Sequence, residues 1–123
     1  MRTILIVEDS EACAETLQIA FESMPGLRTV VRRSLSAALK DLQSEDNTIA
    51  AVVTDLHMPS RDGFELIRRL RAEGRYSRVP VLLISGDSDP QLPQQALAHG
   101  ADAFFSKPYS PAAVRRKLEQ LIC

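Results

Sequence analysis

Acidic, hydroxyl and basic side chains follow directly on short apolar segments of this sequence. Glu8 and Asp9 come after the first apolar run, and Asp55 comes after the third. Ser85 closes the fourth run, and Lys107 follows the fifth. If these runs are parallel strands, their carboxyl ends lie at one edge of a sheet, which is where ligands bind in such folds. Four of five runs therefore bring a reactive group to one predicted edge.

This set of side chains suits phosphoryl transfer assisted by a divalent cation. Crowded carboxylates repel one another, and Mg²⁺ relieves that repulsion because it prefers oxygen ligands. A carboxylate can also act as a nucleophile and form an aspartyl-phosphate. Phosphoryl transfer requires mainly positioning and neutralisation of charge. The Lys107 ammonium and the Ser85 hydroxyl can supply a charge and a hydrogen bond to the phosphoryl oxygens.

Each of these residues has a simpler explanation when it is taken alone. Glu8 and Asp9 are acids of the kind favoured at a helix N-terminus. Asp55 and Ser85 could belong to turns, and Lys107 could be an ordinary exposed lysine. We favour a shared site because four independent coincidences would otherwise have to fall on one sheet edge.

The apolar runs alternate with segments of helical spacing. Continuous apolar runs are typical of strands covered by helices on both faces, and strand–helix–strand units of this length favour parallel strands. The sequence therefore predicts one α/β domain over residues 1–123, a doubly wound (βα)₅ sandwich. The predicted strands are residues 3–7, 27–31, 49–54, 81–85 and 103–106.

Apolar residues at i, i+3, i+4 and i+7 mark the buried faces of two helices. Leu17 and Phe21 belong to the first, and Cys13 is expected to pack on the same face. Phe64 and Ile67 belong to the third. The other helices are predicted over residues 35–44, 93–99 and 111–121.

Helix boundaries are indicated by a few residues near the predicted ends. Ser110 before Pro111 is a typical helix start, and Gly100 is a typical helix end. Pro90 and Pro93 fall where the fourth helix should begin, so that helix is expected to be short.

Composition favours an ordinary soluble domain. Hydrophobic residues make up 45% and charged residues 25% of the 123, and the formal net charge is -1. This charge gives no reason to expect binding to nucleic acid or to an anionic membrane, and basic residues such as Arg68 and Arg71 are interpreted as solvated helix faces. The two cysteines, Cys13 and Cys123, exclude a disulfide framework and a structural zinc site. We expect a cytoplasmic protein because no signal-peptide core or membrane-spanning run is present.

Four stretches of the sequence together resemble the receiver domain of bacterial two-component response regulators, the family that includes the chemotaxis regulator CheY. They are ILIVEDS, VVTDLHMPSRDGFELIRRLR, VPVLLISG and GADAFFSKPYS, in the family's order and spacing. The resemblance covers essentially the whole chain. It implies the flavodoxin-like fold of CheY, with a five-stranded parallel sheet in the order 2-1-3-4-5.

The resemblance also implies a metal-assisted phosphoacceptor. Asp55 matches the residue that accepts the phosphoryl group, and the cofactor would be Mg²⁺. Asp9 matches the direct metal ligand, and Glu8 matches a second acid that acts through a metal-bound water. The backbone carbonyl of His57 matches the group that completes the metal shell. The side chain of His57 is expected to point to solvent.

Three further residues match the family's switch. Ser85 corresponds to the hydroxyl that follows the phosphoryl group, and Lys107 to the family's lysine. The bond from Lys107 to Pro108 is cis in similar proteins. Phe104 stands at the position of the switch aromatic, where Tyr is commoner. A Phe has no hydroxyl to donate, so burial would have to drive its motion.

The partners implied are a sensor histidine kinase or phosphotransfer protein and a downstream protein target or output domain. No direct contact with nucleic acid or membrane is expected. The chain would be a monomer or a weak, phosphorylation-dependent dimer. It would catalyse only its own phosphorylation and dephosphorylation, so we do not expect a metabolic enzyme.

Two alternatives use related chemistry or the same fold. A phosphatase of the haloacid-dehalogenase type also has an Asp nucleophile and Mg²⁺, but it resembles Asp-x-Asp at the nucleophile, where this chain has His57. A flavodoxin-like cofactor-binding module needs a phosphate loop rich in Ser, Thr and Gly after the first strand. This chain has Glu8 and Asp9 there.

Overall fold

Five parallel strands form a single sheet within the residues that the computed structural model describes, which are 2–44, 48–57 and 63–122. The spatial order is β2-β1-β3-β4-β5. This confirms the predicted fold and strand order, and each predicted strand is correct to within one residue at either end. The strands are β1 (Arg2–Val7), β2 (Leu27–Arg32), β3 (Ile49–Asp55), β4 (Val81–Ser85) and β5 (Ala103–Ser106).

In the described parts of the chain, four α-helices connect successive strands, a fifth follows β5, and a short 3₁₀ turn at Gly74–Tyr76 precedes β4. Residues 58–62, which belong to the longest motif of the resemblance, lie outside the described residues. The helices are α1 (Glu11–Glu22), α2 (Leu35–Gln43), α3 (Gly63–Ala72), α4 (Leu92–His99) and α5 (Pro111–Ile122).

The sheet separates two apolar cores, because successive side chains of a strand point to opposite faces. On β1, Leu5 and Val7 belong to the core formed with α2, α3 and α4. Ile4 and Ile6 belong to the core formed with α1 and α5. All four are fully buried, and burying such a side chain stabilises the fold by about 1.5–3 kcal/mol. This double burial explains why β1, β3 and β4 are apolar almost throughout, whereas β2 and β5, at the edges of the sheet, are only partly buried.

Of two expectations about the helix faces, the one for Cys13 was wrong, and the one for Phe64 holds in part because Phe64 packs against the edge of its core. Ala14, Leu17 and Phe21 form the buried face of α1, so Cys13 lies at the edge of that face and is only partly buried. On α3 the fully buried residues include Ile67, but Phe64 is only partly buried and stacks on the ring of His99 of α4. The centroids of these two rings are 4.1 Å apart.

The termini of the helices follow their sequence signals. The Ser110 hydroxyl accepts a hydrogen bond from the amide of Ala113 at 3.2 Å, as expected of an N-cap. Gly100 follows α4 with φ of 108°, a left-handed conformation that favours glycine. As expected, α4 is short, with eight residues, and Pro93 lies in its first turn.

Arg71 of α3 does not lie on a solvated helix face, which corrects the expectation from sequence. Its guanidinium donates to the carbonyl oxygens of Gly100 (2.6 Å from Nη2), Val79 (2.6 Å) and Ser77 (3.2 Å). It also pairs with Asp102 at 3.2 Å, and the side chain is 25% exposed. We call these contacts the Arg71 clasp. They join α3 to the segments that precede β4 and β5.

Candidate functional site

The end of β1 places two acids at the carboxyl edge of the sheet. Glu8 is only 2% exposed, and its backbone amide donates to the carbonyl oxygen of Arg32 at 3.0 Å. The amide of Ser10 donates to Glu8 Oε2 at 3.2 Å, which fixes the side chain. Asp9 is exposed. The edge therefore carries one buried, restrained carboxylate and one that solvent reaches.

Asp55, the last residue of β3, is buried at the same edge. It is 7% exposed, and the amide of His57 donates to its Oδ1 at 3.3 Å. The amide of Leu56 donates to the carbonyl oxygen of Ile84 at 2.8 Å, which ties the end of β3 to β4. A Cβ atom at Gly63 would lie 2.8 Å from the backbone oxygen of Asp55. The start of α3 thus packs against Asp55 only because residue 63 has no side chain.

The three acids meet with Lys107. Oxygen atoms of Glu8, Asp9 and Asp55 all lie within 4.8 Å of one another. Lys107 Nζ lies 2.9 Å from Glu8 Oε1 and 3.2 Å from Asp55 Oδ2. The Lys107–Pro108 peptide bond is cis. The structure therefore brings together residues at the carboxyl ends of β1, β3 and β5. We call these four residues, the three acids and Lys107, the acidic cluster.

Burial and pairing oppose each other in the electrostatics of the acidic cluster. Burial raises the pKa of Glu8 above its ordinary 4.5, although hydrogen bonds from Lys107 and from the Ser10 amide lower it. Burial lowers the pKa of Lys107, but its hydrogen bonds to Glu8 and Asp55 outweigh that and raise the pKa above the ordinary 10.5. The ammonium of Lys107 thus stays charged and compensates part of the negative charge.

Ser85 and Phe104 lie outside the acidic cluster. Ser85 is fully buried, and its hydroxyl accepts a hydrogen bond from the amide of Asp87 at 3.0 Å. The amide of Lys107 donates to the Ser85 carbonyl oxygen at 2.8 Å, so the two residues are neighbours through the backbone. Phe104 pairs with Leu83 across β4 and β5, is partly buried, and packs against the core of α2, α3 and α4.

The side chain of His57 has a partner that was not predicted. As expected it is largely exposed, at 59%, but its Nε2 lies 3.2 Å from Asp87 Oδ2. A signal was present in the sequence, because His57 and Asp87 each stand two residues after a strand-end residue, Asp55 and Ser85. Those two strands, β3 and β4, are neighbours in the sheet. Equal spacing after adjacent parallel strands places the two side chains within reach of each other.

The donor set of the acidic cluster fits a hard divalent cation. Three carboxylates lie at this spacing, and two of them, Glu8 and Asp55, are buried. Within the part of the chain that the structure describes, these two share the single ammonium of Lys107, so the cluster carries uncompensated negative charge. Mg²⁺ accepts a few carboxylate and carbonyl oxygens and retains waters for its other positions. Asp9 gives such an ion an exposed ligand on the solvent side. The arrangement can therefore hold a cation beside the buried Asp55.

The family model of the response regulator receiver domain matches residues 4–119. The chain belongs to this family. Its relatives include a chemotaxis protein CheY homologue of Campylobacter jejuni, 24% identical over 119 residues that cover 97% of this chain and 91% of that protein. The KDP operon transcriptional regulatory protein KdpE of Escherichia coli is 34% identical over 118 residues, which are 96% of this receiver domain and 50% of KdpE.

Solved receiver structures superpose on the whole fold. The chemotaxis response regulator CheY4 of Vibrio cholerae has a TM-score of 0.85 at 23% identity and covers 98% of both chains. The signal receiver domain of a signal transduction histidine kinase from Syntrophus aciditrophicus has a TM-score of 0.85 at 31% identity, covering 99% of this chain and 90% of that one. Receiver domains thus share this architecture both alone and within larger proteins.

Membership in the family identifies the general function. The chain is a phosphoacceptor receiver domain of a two-component system, and response regulators interact with histidine kinases and downstream targets. The comparisons give no support to a phosphatase or a flavodoxin-like cofactor module. Among the described residues, no helix has both the length and the apolar character needed to span a bilayer.

Proposed function

We propose that Asp55 is the phosphoacceptor of this receiver domain and that it works with a bound Mg²⁺ ion. The observation that carries the proposal is the position of Asp55, which shares one acidic cluster with Glu8 and Asp9 and is paired with Lys107 at 3.2 Å. Glu8 is also paired with Lys107, at 2.9 Å, but its other carboxylate oxygen accepts from the Ser10 amide, and Asp55 is the residue that matches the family's phosphoacceptor. Glu8 is almost fully buried, and Asp9 is exposed.

Glu8, Asp9, Asp55 and the backbone carbonyl of His57 would hold the ion. When bound, Mg²⁺ supplies the charge neutralisation that phosphoryl transfer requires. A carboxylate oxygen of Asp55 attacks the phosphorus of a phosphohistidine, so that a P–O bond forms while the donor's P–N bond breaks. The electron pair of that bond leaves with the donor imidazole. Lys107, already beside Asp55, offers its ammonium to the transferred oxygens.

The transferred group would then shift an equilibrium between two conformations. The Ser85 hydroxyl exchanges the Asp87 amide for a phosphoryl oxygen, and Phe104 follows by burying more of its ring. The surface formed by α4, β5 and α5 changes and is read by a downstream protein or output domain. We propose a cytoplasmic domain, spanning residues 1–123, that is a monomer or a weak phosphorylation-dependent dimer and that also catalyses its own dephosphorylation.

Intact-protein mass spectrometry tests the acceptor. The protein is incubated with a small acyl phosphate, with and without Mg²⁺, as wild type, Asp55→Asn and the matched control Glu11→Gln. Glu11 is an exposed acid at the start of α1 that is not a member of the acidic cluster. We expect one labile adduct in wild type and Glu11→Gln that requires Mg²⁺, and none in Asp55→Asn. An equal adduct in Asp55→Asn would refute the assignment.

Thermal unfolding tests the metal site independently of phosphorylation. A ligand that binds only the folded state stabilises it by about 2.7 kcal/mol at a concentration of 100 Kd. Mg²⁺ should therefore raise the Tm of wild type and of Glu11→Gln, and this rise should be lost in Asp9→Asn. The same rise in Asp9→Asn would show that the ion binds elsewhere.

A further inference from the structure

A hydrogen bond between side chains joins the two loops that follow β3 and β4. His57 Nε2 lies 3.2 Å from Asp87 Oδ2, and since a carboxylate can only accept, the imidazole N–H is the donor. Each residue also contacts a residue at the end of its own strand through its backbone amide. The amide of His57 donates to Asp55, and the amide of Asp87 donates to the Ser85 hydroxyl. The pair therefore spans the interval between the carboxylate and the hydroxyl.

The Asp87 side chain is held on both of its oxygens. Oδ2 accepts from His57, and Oδ1 accepts from the amide of Asp89 at 2.9 Å. Asp89 in turn accepts from the amide of Gln91 at 2.9 Å, directly before α4. These bonds form a continuous chain from His57 to the start of α4. The hydroxyl of Ser85 is attached to this chain through Asp87.

We propose that His57 and Asp87 form a latch. It holds the Ser85 hydroxyl in the position that this hydroxyl has when Asp55 is not phosphorylated. Both are positioning residues, and the inference rests on the proposed function because it concerns the movement of Ser85 toward a phosphoryl group on Asp55. The Ser85 hydroxyl only accepts in its bond to the Asp87 amide, so its O–H can donate to that group, but a movement of Oγ toward Asp55 draws it away from an amide whose residue is held by His57. A side chain that fixes Asp87 to the opposite loop stabilises the unphosphorylated conformation alone.

The effect of the latch on the conformational equilibrium has a definite direction, because an interaction made in only one of two states favours that state. Removing the latch should favour the conformation in which Ser85 contacts the phosphoryl group, so the affinity for a phosphoryl mimic should rise. Coupling between exposed side-chain pairs of this kind corresponds to about a two- to fivefold change in an equilibrium constant. General damage to the site would instead lower that affinity.

A double-mutant cycle on the intact chain measures this coupling. The probe is beryllofluoride at saturating Mg²⁺, and its dissociation constant is read from the amide resonances of residues 85 and 87. We expect His57→Ala and Asp87→Ala each to bind about two- to fivefold more tightly, with no further gain in the double variant. His57→Gln keeps an N–H donor and should return toward wild type. The Arg115–Glu119 pair on α5, with similar exposure, supplies the matched control, and Arg115→Ala should leave the affinity unchanged.

A second measurement needs neither metal nor mimic. In the free protein, hydrogen exchange at the amides of Asp87 and Asp89 should be faster in His57→Ala than in wild type, because these amides belong to the latched loop. Unchanged exchange and unchanged or weaker mimic binding in the variants would overturn the latch alone. The latch would also be overturned if the gain in mimic affinity in the double variant equalled the product of the two single gains, because the two side chains would then act independently. Failure of wild type to bind the mimic would overturn the proposed function, and the latch with it.

Discussion

Replacing Arg71 by Met tests how strongly the Arg71 clasp holds the fold. The guanidinium makes two contacts of 2.6 Å, to the carbonyl oxygens of Val79 and Gly100, and longer ones to Ser77 and Asp102. Met keeps much of the apolar stem of the side chain but offers no donor. The substitution therefore removes the hydrogen bonds while leaving most of the packing on α3 in place.

The expected loss in the free energy of unfolding follows from the number of short hydrogen bonds that are removed and from their access to water. A hydrogen bond that involves a charged group contributes about 1.5–3 kcal/mol. We take the two 2.6 Å contacts at the lower value, because the side chain is 25% exposed and water can partly replace it. The longer contacts are neglected. The expected loss in the free energy of unfolding is about 3 kcal/mol, and a domain of this size loses roughly 3–5 °C of Tm per kcal/mol.

Urea denaturation followed by circular dichroism measures this loss. The matched control is Arg68→Met on the same helix, because Arg68 is 69% exposed and has an ion pair of 3.6 Å with Glu65. An exposed pair of this kind contributes at most about 1 kcal/mol. If Arg71→Met and Arg68→Met were destabilised equally, the clasp would be a surface contact without a structural role.

Two further predictions concern the surroundings of the acidic cluster. Gly63→Ala should lower the free energy of unfolding by about 2 kcal/mol and slow phosphorylation, because the added Cβ would lie 2.8 Å from the Asp55 backbone oxygen and 2.9 Å from Leu83 Cδ1. A denaturation midpoint equal to that of wild type would contradict the close packing. Burial raises the pKa of Tyr109 above its ordinary 10.0, so the stability that this phenol contributes is present below pH 10 and is lost as the pH rises through the raised value. The difference in absorbance at 295 nm between wild type and Tyr109→Phe should give a midpoint above 10, and a midpoint at or below 10 would refute the burial argument.

The three central strands and their ends are predictable because one physical rule applies to each of them. A strand buried on both faces must be apolar throughout, so the first polar residue after the run marks the sheet edge. That rule locates Glu8, Asp55 and Ser85 without knowledge of any contact, whereas Lys107 follows an edge strand that is only partly buried. The order of the strands came from the family resemblance, since apolar runs alone do not determine which strands are neighbours.

The contacts that sequence could not predict depend on how helices are rotated and where long side chains reach. Cys13 and Phe64 lie at the edges of the buried faces of their helices, because periodicity shows the direction of an apolar face but not how far it extends around the helix. Arg71 was assigned to solvent because its acceptors are carbonyl oxygens, which every residue has and no sequence pattern distinguishes. The equal spacing of His57 and Asp87 after their strands was a signal in the sequence, but using it required the register of β3 and β4, in which Asp55 pairs with Ile84.

The two separate cores have a consequence for how this domain can evolve. Within the described residues, α4 contributes to one core through Leu92 and Ala96, while α5 contributes to the other through Val114 and Leu118. Neither helix shares a core with the other. On β5, Phe104 packs toward the first core, whereas its neighbour Phe105 packs toward the second. Among close relatives, substitutions in α4 should therefore covary with position 104, and substitutions in α5 should covary with position 105. Natural selection can then change the α4 side and the α5 side of the surface formed by α4, β5 and α5 independently.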